Sequence, residues 1–303
     1  YQRLVLDQGF YPDGIWTAPS DAALKKDIEL AQAAGFNGAR LHQKVFEERF
    51  YYWADKLGYL TWGEAPSWGL DANAVEAARN FITEWRNLVV RDMNHPAIVT
   101  WTPFNEEFWP DETQFPRFVN DIYTLTKQLD PSRPVNTVSG GIQILTDIWT
   151  EHHYEQDPQR LKDIVYDGGK IFVRGPPVQA RHRGNVGFNR PVLNDPYVFP
   201  RYDGSIPYIL DEFGGIKCME ANPAKDGAWG YGSAPQTKEE FYQRLEGQVR
   251  GLMSLNKNMW GWCYTQLTDV EQEQNGIYYY DRTVKYDMER IRKIFQMEIP
   301  AEE

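Results

Sequence analysis

Cysteine is nearly missing from this sequence. Two thiols, Cys218 and Cys263, stand among 303 residues, too few for a disulfide framework and spaced like no metal motif. Both read as small buried hydrophobes. Long apolar runs are also missing. No stretch approaches the ~20 residues that a membrane helix needs, so a spanning helix is excluded. Basic residues are in deficit: 32 Lys and Arg against 43 Asp and Glu leave a formal charge of −11. A general nucleic-acid binder needs a basic face to neutralise phosphate, and this composition argues against one. No glycine-rich phosphate loop of dinucleotide or P-loop spacing follows an early strand. There is no internal repeat and no low-complexity tract. No leader pattern opens the sequence at Tyr1, and thiol usage fixes no compartment.

Aromatic residues are abundant: 15 Phe, 11 Trp and 18 Tyr, within a hydrophobic fraction of 42%. That composition excludes disorder and allows a large core. Short apolar runs alternate with helical patterns along the chain. Leu4–Leu6 reads as a strand. Ser20 caps a helix over 21–34, which Gly35 ends. Residues 36–41 form a strand, 45–57 a helix, 59–62 a strand, and Asp71 caps a long helix carrying Phe81, Trp85 and Leu88. The same alternation continues: strand 97–103, helix 115–129, strands 134–138 and 148–154, strand 206–210, helix 238–254, strand 259–264 and helix 286–295. About eight β-then-α units imply a parallel sheet and suit a single-domain (β/α)8 TIM barrel, whose usual size is ~250 residues. A doubly wound sheet is the alternative. Residues 170–205 break the rhythm with five prolines and no period, which in a barrel describes a long rim loop.

Two segments carry candidate chemistry. Trp101-Thr102-Pro103-Phe104-Asn105-Glu106-Glu107 and Tyr208-Ile209-Leu210-Asp211-Glu212-Phe213-Gly214-Gly215 are apolar strands that end abruptly in carboxylates. Strand C-termini of a barrel face the active site. Two carboxylates converging there are what glycoside hydrolysis requires: one protonates the leaving oxygen, the other attacks or activates water. Either segment alone is also what a helix cap or a solvated loop looks like. His152 and His153 are adjacent in a strand and so face opposite ways, a poor pair for a metal, and no catalytic metal or other cofactor is expected. Trp260, Trp262 and Tyr264 alternate and share a face, which suits either a sugar-stacking platform or core packing. Trp68, Trp109 and Trp149 are further aromatics that could border a pocket, and Glu64 either binds a sugar hydroxyl or forms a structural salt bridge.

Taken together, four segments resemble the catalytic barrel of glycoside hydrolase family 2, the family of β-galactosidases, β-glucuronidases and β-mannosidases. They are 35–42 with 50–58, 91–106, Asp211-Glu212-Phe213-Gly214, and 262–282. The resemblance implies a retaining exo-β-glycosidase acting on an oligosaccharide or glycoside. It implies Glu106 as acid/base with Glu107 a bystander, and Glu212 as nucleophile with Asp211 structural. Asn105 would bond the sugar 2-hydroxyl, and Arg40 would hold a catalytic carboxylate. His42, His153, Tyr154, Trp262 and Tyr264 would contact substrate or nucleophile. The acid of such a pair needs a raised pKa. Retention implies carboxyl groups ~5–5.5 Å apart, inversion ~6.5–9.5 Å. The resemblance also implies a catalytic domain spanning 1–303, excised from a longer chain with N-terminal β-sandwich domains. A secreted or periplasmic address would suit glycan degradation. Family β-glucuronidases carry an Asn and a Lys, two residues apart, just before the glycine of the last loop. Here that stretch is Glu273-Gln274-Asn275-Gly276, without the cation that would pair with a glucuronate carboxylate. The resemblance therefore leans toward a β-galactosidase-like enzyme. A non-catalytic carbohydrate-binding barrel and an unrelated metal-dependent barrel hydrolase are the competing classes.

Overall fold

A computed structural model describes residues 1–107, 114–141, 143–167, 170–171, 202, 204–219 and 227–298. Most of the expected rim loop, and Trp109, lie outside the described residues. The chain is a TIM barrel. Its strands are β1 (Gln2–Asp7), β2 (Gly38–Leu41), β3 (Leu60–Glu64), β4 (Ile98–Thr102), β5 (Phe104–Asn105), β6 (Val138–Ser139), β7 (Trp149–His153), a small antiparallel pair β8 (Tyr166–Asp167) and β9 (Lys170–Ile171), β10 (Tyr208–Gly214) and β11 (Gly261–Thr265). The helices are α1 (Asp21–Ala34), α2 (Glu48–Leu57), α3 (Val75–Asp92), α4 (Gln114–Leu129), α5 (Pro158–Val165), α6 (Lys238–Met253) and α7 (Met288–Phe295).

Seven strands form one all-parallel sheet in the order β4-β3-β2-β1-β11-β10-β7. The β5–β6 pair continues it, and a parallel bridge from Trp101 to Val135 ties that pair to β4. Between β6 and β7, Thr150 Oγ1 accepts from Asn136 Nδ2 at 2.8 Å and from the Gly140 amide at 3.1 Å.

The helix boundaries follow local chemistry. Ser20 Oγ accepts from the Ala23 amide to start α1, and Gly35 ends it at φ +105°. The expected cap at Asp71 is displaced. Its carboxylate accepts from the Asn73 amide in a turn, and α3 starts four residues later at Val75. An Asp side chain that bonds its own backbone two residues on makes a turn rather than a cap. Helix α5, which the sequence reading passed over, opens at Pro158, with the Asp157 carboxylate accepting from the Arg160 amide.

Two cores result from the alternation of strand side chains. One face of each strand packs against the helices in the main core, which contains Phe36, Trp85, Trp101, Phe213, Trp262, Tyr264 and Phe295. The other face fills the barrel with Leu4, Leu6, Trp62, Ile148, Ile209 and Cys263. Two residues further along the same inward faces the chemistry changes: Trp62 gives way to Glu64 and Ile209 to Asp211, while Ile148 leads through Thr150 to His152. The barrel is thus apolar at its floor and charged at the carboxyl ends of its strands.

Candidate active site

Arg40 of β2 stands at the centre of the charged layer and is fully buried. Its Nε donates to Glu64 Oε2 at 2.9 Å. Nη2 lies 2.7 Å from Asn105 Oδ1, 2.7 Å from His42 Nδ1 and 2.9 Å from Glu212 Oε1. Nη1 donates to the Asp211 carbonyl at 3.0 Å. Glu64 is also fully buried. Burial raises its pKa, but the charge of Arg40, with His42 and the Gln43 amide, outweighs burial and holds the carboxyl below the ordinary range. Glu64 is thus a structural ion-pair partner of Arg40.

Consecutive residues of a regular strand point to opposite faces, yet Asp211 and Glu212 both reach the guanidinium of Arg40. A bulge explains this. The register of β10 slips between Leu210 and Glu212 against β7, and between Leu210 and Phe213 against β11. Asp211 is buried and fixed by Ser139 Oγ, which donates to it at 2.6 Å. Glu212 accepts from Tyr154 Oη, which also sits 3.1 Å from Thr265 Oγ1. The Tyr154 ring stacks on Tyr231 with planes 2° apart.

Glu106 follows β5. Its amide donates to the Ser139 carbonyl at 2.9 Å, and its φ is +51°, a left-handed conformation uncommon for any residue but glycine. Its Oε1 lies 2.7 Å from His152 Nδ1. The other imidazole nitrogen faces Ser139 Oγ at 2.9 Å and Asp211 Oδ1 at 3.3 Å, and Nδ1 is also 3.3 Å from Glu212 Oε2. Arg40 Nη1 lies 3.2 Å from Nε2, where two donors cannot bond. Burial pulls the His152 pKa down, but the charges of Glu212 and Asp211, with hydrogen bonds to Asp211 and Glu106, outweigh it and push it up to about 10. Burial likewise raises Glu106, yet the His152 bond and charge, with His42 and Arg40, bring it down to about 2. The raised pKa expected of Glu106 is therefore not what the structure has. The proton that such an acid would carry sits on His152, one hydrogen bond away. Gly140 makes room for that ring: a Cβ there would meet the imidazole at 2.3–2.5 Å.

Of the residues expected in the site, Glu106, Glu212, Asn105, Arg40, His42 and Tyr154 are gathered in this cluster. Asn105 is buried, and its Nδ2 has no partner among the described residues. The imidazole on the carboxylates is that of His152. His153, expected to touch sugar, occupies the opposite parity of β7, opposite Phe213. Trp262 and Tyr264 require a correction. Both are completely buried on the helix-facing side of β11, packed against Phe213 and Phe295. They form core, and the inward residues between and beyond them are Cys263 and Thr265. Trp149 is also core, packed on Tyr202. Trp68 does border the mouth. It is 62% exposed, its Nε1 donates to the Asn105 carbonyl at 3.1 Å, and its ring meets His42 edge-on.

His152 is the contributor that sequence reasoning missed, and its parity with Ile148 was a usable signal for it. Glu106, His152 and Glu212 each offer one atom within 4.8 Å of the others, a set of metal-ligand type.

The sequence matches the family described as "Glycosyl hydrolases family 2, TIM barrel domain" over residues 18–169. It is 32% identical to the mouse protein named β-glucuronidase over 39% of this chain and 18% of that one. It is 30% identical to a Vibrio cholerae protein named β-galactosidase, over 40% and 12%. Among solved structures, a GH2 β-galacturonidase from Eisenbergiella tayi bound to galacturonate superposes with a TM-score of 0.71 at 17% identity, covering 97% of this chain and 50% of that one. The chain thus spans under a fifth of the curated relatives and about half of the solved one.

Proposed function

The chain belongs to glycosyl hydrolase family 2, and from that premise we propose that it is a retaining exo-β-glycosidase with Glu212 as nucleophile and Glu106 as acid/base. The observation that carries this reading is the pairing of these two carboxylates across the mouth, with one oxygen of each within 4.8 Å of the other. That spacing supports direct attack, because inversion needs ~6.5–9.5 Å between the carboxyl groups for a water molecule.

In this reading Glu212 attacks the anomeric carbon while Arg40 and Tyr154 hold its two oxygens in place. His152 passes its proton to Glu106 along their 2.7 Å contact as Glu106 gives one to the departing oxygen, which leaves Glu106 a carboxylate and His152 neutral. Water then enters, Glu106 takes its proton, and the glycosyl-enzyme is hydrolysed. Asn105 Nδ2, buried and without a partner among the described residues, would donate to the sugar 2-hydroxyl.

The glycone we propose is neutral, with β-galactoside first. Uronidase names occur among the relatives and neighbours, but the family match ends at residue 169, before Glu212 and the loop at 273–276. That loop supplies no cation for a uronate.

Hydrolysis of aryl β-glycosides by wild type, Glu212→Gln and Glu106→Gln tests the reading. We expect one neutral glycoside to be cleaved, with cleavage abolished in Glu212→Gln. In Glu106→Gln the rate on poor leaving groups should fall by ~10²–10⁴-fold, the usual contribution of a general acid. A wild type that cleaves none, or a Glu212→Gln that still turns over, would refute it.

A further inference from the structure

Four polar side chains close a ring of hydrogen bonds just beyond the carboxyl ends of β1 and β11. Gln8 Nε2 donates to Gln266 Oε1 and to Glu273 Oε2, both at 2.9 Å. Gln266 Nε2 donates to Asn275 Oδ1 at 2.8 Å, and Asn275 Nδ2 donates to Glu273 Oε1 at 3.2 Å. The ring joins the ends of the neighbouring strands β1 and β11 to the loop after β11. The backbone of that loop is held too. Glu273 exchanges two backbone hydrogen bonds with Val270, and Trp229 pairs with Gln272 and Gln274 on either side of it.

Glu273 is the anomalous member. Among the described residues it makes no ion pair, and both its oxygens are answered by amides. It shares the field of the catalytic groups: burial pushes its carboxyl above the ordinary range, Gln8, Asn275 and His42 pull it back, and the charge of Glu212 adds to the rise. Structural carboxylates in this layer have cations, as Glu64 has Arg40 and Asp269 has Lys285. A carboxylate held only by amides, beside the nucleophile, is preorganised yet not neutralised. Each carboxylate oxygen has about two acceptor positions. One on each is used by the ring, which leaves one on each for a donor from the mouth.

We propose that Glu273 is a specificity-determining residue for the sugar ring, accepting hydrogen bonds from two hydroxyls of a neutral glycone and repelling a glycone that carries a carboxylate. This rests on the glycosidase reading above and adds a named reader to it. Hydroxyls on adjacent carbons present two donors at the spacing of one carboxylate, so a vicinal diol is the natural partner. A uronate in the same place would set like charges together without water between them, and a site built for donors rejects what cannot donate.

The test compares D-galactose with D-galacturonate, and 4-nitrophenyl β-galactoside with the matching galacturonide, on the full-length protein. Calorimetry reads binding and release of nitrophenol reads turnover. Wild type should bind galactose at least ~10-fold more tightly than galacturonate, a separation in the range that one charged hydrogen-bonding group supplies. Glu273→Gln, checked by its thermal midpoint, should lose most of that ratio. It should lose galactose affinity and gain galacturonate affinity, and should raise KM for the galactoside more than it lowers kcat. Equal binding of both sugars by wild type, a preference for galacturonate, no binding of either, or a Glu273→Gln ratio within threefold of wild type would each overturn the proposal. The wild-type comparison stands even where the variant fails to fold. Selective binding without turnover would instead sink the glycosidase reading and leave the assignment of Glu273 intact.

Discussion

Glu106 and His152 share one proton across 2.7 Å, and the sharing has a measurable sign. His152 keeps its proton up to about pH 10, and its hydrogen bond and charge hold Glu106 down to about 2. The pair therefore has a proton to give far into the alkaline range. In His152→Asn, Glu106 loses the partner that held it down, and the only proton to give is its own. We expect the alkaline limb of kcat/KM to move down by several pH units in this variant. A limb that stays in place would show that His152 is not the source. Arg40 offers a second prediction at this scale. Removing it leaves Glu64, Asp211 and Glu212 buried without their shared cation, and breaking a buried pair typically costs ~3–5 kcal/mol. Arg40→Met should lower the denaturation midpoint by that order, measured in denaturant at pH 7. A loss under ~1 kcal/mol would mean that the carboxylates neutralise themselves by taking up protons.

Among the elements, β11 and α7 show how little a side chain's period says by itself. Phe295 of α7 packs on Phe36, Trp262 and Tyr264, with centroids 4.4, 5.6 and 5.2 Å away. Phe295→Ala should cost ~3–5 kcal/mol, the usual range for emptying such a site, and a cost under ~1 kcal/mol would show that the helix repacks. The sequence makes plain that Trp262 and Tyr264 share a face. It does not say which face, because that is decided by a helix thirty residues further on. The same parity question separates His152 from His153, and Ile148 answers it only once the inner core is known. Strand ends with their carboxylates were legible from Glu106 and Glu212. The bulge that turns Asp211 and Glu212 the same way was not, since no residue type announces it. The ring around Glu273 joins three separated segments and left no local pattern to find.

For the molecule as a whole, Asp7 gives stability a pH dependence. Burial, then the nearby Asp27, push its carboxyl up to about 6, against the Gly9 amide, Arg282 and Lys44. A carboxyl raised on folding binds its proton more tightly in the native state than in the unfolded one. Stability is then fullest below the unfolded pKa, near 3.9, and falls as pH rises toward 6, by ~3 kcal/mol for a shift of this size. Asp7→Asn keeps an acceptor for the Gly9 amide and should flatten that fall. Denaturant midpoints at pH 4.5 and 7.5 in wild type and variant check it: the variant should gain relative to wild type at the higher pH, and parallel curves would refute the assignment.

The strand that closes the sheet is β11, inserted between β1 and β10. During synthesis, therefore, β1 has only one neighbour until residues 261–265 have left the ribosome. For all that time the nascent barrel has open edges, rows of unanswered amides and carbonyls to which another growing chain could add a strand. Gln8 waits through the same interval for Gln266 and Glu273, so the mouth of the site is completed by the same late event that removes the risk of aggregation.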